Sequence, residues 1–200
     1  MVMESSVKQT ILELAIKTID ESGEPGIRVS QLAEAAGVAI PALYHHFGSR
    51  EGLIEAAQVE RFIRSLREDS EAFIARIKTC SSRDDVKRVV EDLVISVGTP
   101  ERAQVRWRRM NAVGATYARP ALTAAIIHSH EEMVDKLALS LTPLQRQGII
   151  RQDIDLRAVV AWFNGSILGK NLVEIGNSGI DLDQWNRTLI EATFAVLFAD

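Results

Sequence analysis

Apolar residues recur along this chain at three- and four-residue spacing almost throughout, and no stretch alternates strictly between apolar and polar. Ile11, Leu12, Ala15 and Ile19 mark a first helix, with Ser5 or Ser6 placed to cap it. SGEPG, residues 22–26, ends that helix with glycine and proline. Leu32, Ala33 and Ala36 mark a second, shorter helix, which Gly37 closes in the left-handed conformation of a C-cap. A third helix carries Pro41 in its first turn, where a missing N–H costs nothing, and Leu43 and Phe47 on its inner face. GSRE, residues 48–51, starts a long helix towards Lys78.

The helical spacing continues beyond this point. CSSRDD (80–85) precedes a helix to about Val97, and GTPE (98–101) starts the next, over RAQVRWRRMNAVGATY. Arg119-Pro120 opens a helix to about Leu141, and a short IIRQDID segment follows Gly148. An apolar helix over 156–175, a turn at NSGID (177–181) and a last helix over 183–198 complete the chain. The expected fold is all-α, with about nine or ten helices and no internal repeat. Residues 1–50 form the first domain, the helix over about 50–78 links it, and residues 51–200 form the second.

The second and third helices with the turn at Gly37 make a helix-turn-helix, whose second helix is short enough to enter a major groove. On that helix Leu43 and Phe47 face inward, with Val38 at the turn. Pro41 and His45 lie opposite, flanked by Ala42 and Tyr44.

Composition sharpens this picture by tension. The 200 residues carry a net charge of −4, which does not fit a general nucleic-acid coat. Within residues 1–50, Lys8, Lys17, Arg28 and Arg50 face six acids: Glu4, Glu13, Asp20, Glu21, Glu24 and Glu34. DNA binding would rest on local geometry, helped by a dimer that doubles the phosphate contacts. The single cysteine, Cys80, allows no disulfide framework within one chain, and a reducing cytoplasm is the natural compartment. No apolar run is long enough to span a bilayer, and the N-terminus does not read as a signal peptide.

VSQLAEAAGVAIPALYHHFGSREGL, residues 29–53, resembles the DNA-binding domain of the TetR family of transcriptional regulators. Leu32-Ala33, Ala36-Gly37-Val38, Leu43-Tyr44, His46-Phe47, Ser49-Arg50-Glu51 and Leu53 carry the resemblance, without gaps. It extends over about residues 8–60; the remainder agrees mainly in helix pattern. It implies that Tyr44 reaches the DNA backbone, that His45 faces the bases, and that Arg50 meets a phosphate at a helix N-terminus. Arg28 stands where the family commonly has threonine and would replace a hydroxyl–phosphate contact with a charged one. Two positions depart from the family: Ala39 replaces a common Ser or Thr, and Ile40 a residue that is often polar. Ile40, Pro41 and Ala42 then offer apolar contact, as to thymine methyls; a buried place for Ile40 beneath the first helix is the alternative. Adjacent His45 and His46 point about 100° apart and do not share a metal, so no metal site and no cofactor are expected.

The resemblance makes the second domain a ligand-sensing and dimerising one. Trp107, Met110, Asn111 and Tyr117 on one helix, His128 on the next, and Trp162 and Phe163 near the end are the candidate cavity residues, against the reading that they are plain core. Arg102, Arg106 and Arg109 share a helix face that reads as solvated and paired with acids. The last two helices are apolar on more than one face. Gly165, Gly169 and Leu172 on one, and Trp185, Leu189 and Phe194 on the other, are the candidate dimer residues.

No P-loop, G-x-S-x-G, H-E-x-x-H or dinucleotide fingerprint is present, and Ser166 lacks a nucleophile's strand–turn–helix context, so an enzyme is not expected. The expectation is a homodimeric repressor with a double-stranded DNA operator, released by a small-molecule effector. The alternative is the same fold used as an interaction module without DNA binding.

Overall fold

The computed structural model describes residues 2–175 and 179–198. Part of the turn expected over 177–181 therefore lies outside the described residues. Nine α-helices are present among them, with no strand. They are α1 Val2–Ser22, α2 Val29–Ala35, α3 Ile40–Phe47, α4 Arg50–Ile77, α5 Arg83–Gly98, α6 Ala103–Gly114, α7 Pro120–Arg146, α8 Leu156–Glu174 and α9 Leu182–Leu197. A short 3-10 turn at Glu24–Gly26 contains Pro25, foreseen as a breaker, and another at Pro100–Arg102 lies in GTPE, foreseen as the start of the next helix. Ser5 and Ser6 fall inside α1 and not at its cap, and α7 runs past Leu141 with Pro143 inside it.

The chain divides into two compact units. The first is Met1–Ile63 with Asn111–Ile126, and the second is Arg64–Met110 with Ile127–Asp200. The division departs from the sequence-based boundary at residue 50: the first unit takes in the start of α4 and also the end of α6 and the start of α7.

The first unit is built on eleven buried residues of α1, the turn after it, α2, α3 and α4. Ile11, Ile27, Leu43 and Leu53 are each 1% exposed or less. Gly37 adopts φ +67, and the Val38 amide donates to the Ala33 carbonyl at 2.9 Å, so the glycine closes α2 as expected. The α3–α4 junction is tighter still. A Cβ on Gly52 would lie 2.2 Å from the Phe47 carbonyl oxygen, so only glycine lets α4 start directly against the end of α3. Ser49 Oγ accepts from the Gly52 amide at 2.9 Å and caps α4.

In the second unit α5 packs on α8 and α9, and α8 on α9. Each of these helices is opened by an oxygen side chain: Ser82 accepts from Asp85 N, Asp155 from Arg157 N, and Asp181 from Asp183 N. α5 presents Val86, Val90, Val94 and Val97 inward.

Candidate nucleic-acid interface and apolar cavity

α3 has eight residues and one buried side chain, Leu43. The helix is therefore pinned at one point, and most of its circumference is open. Ile40 and Tyr44 are each 40% exposed, which removes the alternative of a buried Ile40. Ala39, Pro41 and His45 are exposed and Ala42 is half-buried. Ala39 is the N-cap residue and supplies no side-chain cap, as its methyl group dictates. The exposed stripe is thus apolar with one phenol and one imidazole. His46 is half-buried and lies edge-on to Phe47, with 6.3 Å between centroids, and to His45, at 5.6 Å.

The cations beside α3 are engaged internally. Arg28 is exposed, yet its guanidinium donates to the Pro25 carbonyl. Arg50 donates from Nε to the Ile27 carbonyl at 3.2 Å and from Nη2 to the Glu24 carbonyl at 2.9 Å. It fastens the start of α4 to the turn after α1 while keeping 41% of its side chain exposed. Lys8 sits 5.9 Å from the Phe47 ring centroid.

The acidic excess of residues 1–50 is answered from outside them. Arg119 grips Glu24 with two hydrogen bonds, 2.8 and 2.7 Å, and meets Glu51 at 3.1 Å. Gln58 Nε2 donates to the same Glu24 at 2.7 Å. Arg61, 6% exposed, donates to Asp20 at 3.0 and 2.8 Å and to Asn111 Oδ1 at 3.0 Å. Sequence reasoning missed this network: 95 residues separate Glu24 from Arg119, and no periodic signal reaches that far.

The Arg119 grip holds the Glu24 carboxyl below the usual carboxylate range, ahead of the opposing cost of burial. A carboxylate with a depressed folded pKa stabilises above its unfolded pKa and loses that stabilisation as pH falls through the folded one. Acid titration is therefore expected to loosen the first unit only below the ordinary carboxylate range. Glu24→Gln should remove that part of the pH dependence. Hydrogen exchange at the Glu24–Gly26 turn as a function of pH checks this; an unchanged profile in the variant would refute it.

The second unit holds a partly open apolar cavity lined from α4, α5, α6, α7, α8 and α9. Of the seven predicted cavity residues, only Phe163 lines it. Trp107 and Trp162 are 40% and 41% exposed, Tyr117 is 90% exposed, and His128 pairs with Glu132 at the surface, 3.6 Å away. Asn111 belongs to the Arg61 network, and Met110 Sδ lies 3.8 Å from Asn171 Nδ2.

For the residues on α6, the helix presents the opposite face to the one expected. Its expected solvated arginine face is turned inward: Arg106 is 2% and Arg109 5% exposed. Arg106 donates to Val97 and Thr99 carbonyls and to Glu174; Arg109 donates to Ser65; Arg102 pairs with Asp69. With the arginines inside, the indole of Trp107 is left outside.

The predicted dimer residues divide as well. Leu172 is 66% exposed, and Gly165 is exposed with open space where a Cβ would be. Gly169 instead admits Trp185 of the same chain, whose ring would lie 3.8 Å from an added Cβ. Leu189 is buried, and Phe194 stacks on Phe198 at 6.0 Å with Lys87 over its ring.

Among the described residues, no group of three or more His, Cys, Asp or Glu could hold a metal ion, and no helix is long and apolar enough to cross a membrane.

Residues 11–57 match the family model for bacterial regulatory proteins of the tetR family. The HTH-type transcriptional regulator BetI of Brucella anthropi is 33% identical over 81 residues, 40% of this chain and 41% of that protein. The chain thus spans well under half the length of the curated relatives it matches. A solved structure from Rhodococcus sp., described as a TetR-family transcriptional regulator, is 25% identical, with TM-score 0.69 over 97% of this chain and 100% of that one. A transcriptional regulator from Saccharomonospora viridis, solved in complex with choline, shares the fold at 19% identity, with TM-score 0.67 over 98% of this chain and 100% of that one. Residues 11–57 thus match the helix-turn-helix of the tetR family of bacterial regulatory proteins, and the all-helical fold around them resembles that of a solved TetR-family regulator.

Proposed function

We propose that the chain is a ligand-responsive, DNA-binding transcriptional regulator, most simply a repressor. In this reading it binds an inverted-repeat operator as a homodimer, with α3 of each subunit in a major groove. The observation that carries the reading is the open stripe of α3. Ile40, Pro41, Tyr44 and His45 stand exposed on a helix anchored by Leu43, where apolar contact to base methyls and a phenol–phosphate bond are available. Arg28 and Arg50 contribute by holding the flanking turns, and Arg50 retains enough exposure to reach a phosphate as well. The outward side chains of Trp162 and Leu172, with exposed Gly165 between them on α8, support a two-fold contact between subunits. The effector occupies the second unit's cavity, and its binding is set against operator binding by linkage.

A second reading draws on the same cations: because Arg28 and Arg50 are engaged with backbone carbonyls, the fold could serve as an interaction module that does not touch DNA.

Selection of binding sites from a random DNA pool decides between them, run beside a Tyr44→Ala/His45→Ala variant whose two side chains are exposed and hold no core contact. An enriched inverted repeat, lost in the variant and steeply salt-dependent, is the expected result. No enrichment at low salt would favour the interaction module.

A further inference from the structure

The cavity of the second unit has a chemical bias that points to a class of effector; this inference rests on reading that cavity as the effector site. Val86, Val90, Leu93 and Val97 line it from α5 at spacings of four, three and four residues, a continuous stripe. Eleven residues separate the ends of the stripe, about 16 Å at 1.5 Å per residue, so the wall suits an extended molecule rather than a compact one. Its polar groups are few. Arg109 is the lone cation of the lining and Asp69 the lone acid. Asp69 is already paired with Arg102, which does not line the cavity, and approaches Arg109 only at 3.6 Å. Two guanidinium groups therefore share one carboxylate. Arg109 spends Nε and Nη2 on Ser65, and its Nη1 makes no hydrogen bond among the described residues. A guanidinium has donors to spare for a bidentate oxygen ligand. Burial works against the charge of Arg109 and outweighs the help of Asp69, with Arg102 and Arg106 adding to the cost, and a ligand anion would relieve it.

We propose that the effector is an elongated aliphatic molecule ending in an anionic oxygen headgroup, a straight-chain carboxylate in its simplest form. The headgroup meets Arg109 and the chain lies along the valine–leucine stripe of α5. A quaternary ammonium is disfavoured. The lining offers two rings, Phe73 and Phe163, with no Trp or Tyr, and its one acid is spoken for by Arg102.

The test is calorimetric titration of the full chain with octanoate, decanoate and dodecanoate, with the alcohols of the same lengths, and with choline chloride. At the best chain length the carboxylate should bind at least about tenfold tighter than its alcohol, the scale of one charge-assisted hydrogen-bond pair. Arg109→Gln should erase that preference while the alcohol still binds, and Val90→Trp, which fills the stripe, should remove both. The wild-type comparison stands alone if either variant fails to fold. Equal binding of acid and alcohol overturns the anionic headgroup and leaves an apolar effector site in place. Tighter binding of choline, or binding of neither series, overturns the inference. Release of operator DNA is read separately: a carboxylate that binds through Arg109 without releasing DNA would refute the regulatory reading while upholding this one.

Discussion

Arg106→Leu is expected to lower the unfolding free energy of the second unit by about 3–5 kcal/mol, the usual cost of removing one partner of a buried ion pair. Arg106 is 2% exposed, and its Nη1 donates to the Val97 carbonyl at 2.5 Å and the Thr99 carbonyl at 3.0 Å. Its Nη2 pairs with Glu174, whose side chain is 14% exposed. Leucine fills part of the volume but leaves the Glu174 charge and two carbonyls without their donor. Lys170 stands nearby, donating to Gly98 O at 2.7 Å and Asn186 Oδ1 at 3.0 Å. Its pKa is lowered by burial first and by Arg106 second. Loss of Arg106 lifts that repulsion and lets Lys170 offset part of the stranded Glu174, which pulls the expected cost towards the lower end. The double variant Arg106→Leu/Glu174→Leu should recover part of the loss, since the Glu174 charge is then no longer stranded, while the two carbonyls still lack their donor and Lys170 loses a nearby acid. The measurement is clean because Trp107, Trp162 and Trp185, the only tryptophans of the chain, all lie in the second unit. Urea unfolding followed by tryptophan fluorescence reports that unit by itself. A loss under about 1 kcal/mol would mean that the pair roughly cancels its own desolvation.

The contrast between the two units shows what a sequence makes legible. In the first, the core residues Ile11, Ala15, Ile19, Leu32, Ala33 and Leu43 lie where their helical spacing puts them, because each helix there buries apolar residues and exposes polar ones. The turn glycine is equally local: one residue, one positive φ. In the second unit the rule reverses on α6. Buried arginines are uncommon, so a face carrying Arg102, Arg106 and Arg109 reads as solvent-facing, and the aromatic residue beside it reads as cavity. The structure pairs each arginine with a partner far along the chain, Asp69, Glu174 and Ser65, and no local pattern announces such partners.

The same limit explains Arg50 and the unit boundary. A basic residue at the start of α4 reads from the sequence as a phosphate contact. Its bonds to Glu24 and Ile27 carbonyls depend on how the chain folds back over more than twenty residues. Asn111–Ile126 belongs to the first unit and is tied to it by Arg61–Asn111 and Glu24–Arg119, both of them long-range polar pairs. Apolar periodicity identifies helices and their faces; it is silent on which charges meet.

Leu43→Ala is expected to destabilise the first unit by about 2–5 kcal/mol through lost transfer energy and the cavity left behind. Leu43 is fully buried, and it is the one buried side chain of a helix only eight residues long. A helix that short is marginal in water without tertiary packing. The half-buried Val38 and Phe47 flank it but do not replace the contact. Loosening should therefore concentrate in α3, with hydrogen exchange rising across Ile40–Phe47 while the tryptophan-reported transition of the second unit stays in place. DNA affinity should fall because the reading helix is less often formed. Tyr44→Ala, altering a side chain 40% exposed on the same helix, should also weaken DNA binding but without that rise in exchange. Added osmolyte separates the two causes. It favours the folded head and should restore binding to the Leu43→Ala variant, where the deficit is one of population. It should do nothing for Tyr44→Ala, where the deficit is a missing contact. Restoration of both, or of neither, would mean that Leu43 and Tyr44 do not divide anchoring from recognition as the burial of one and the exposure of the other require.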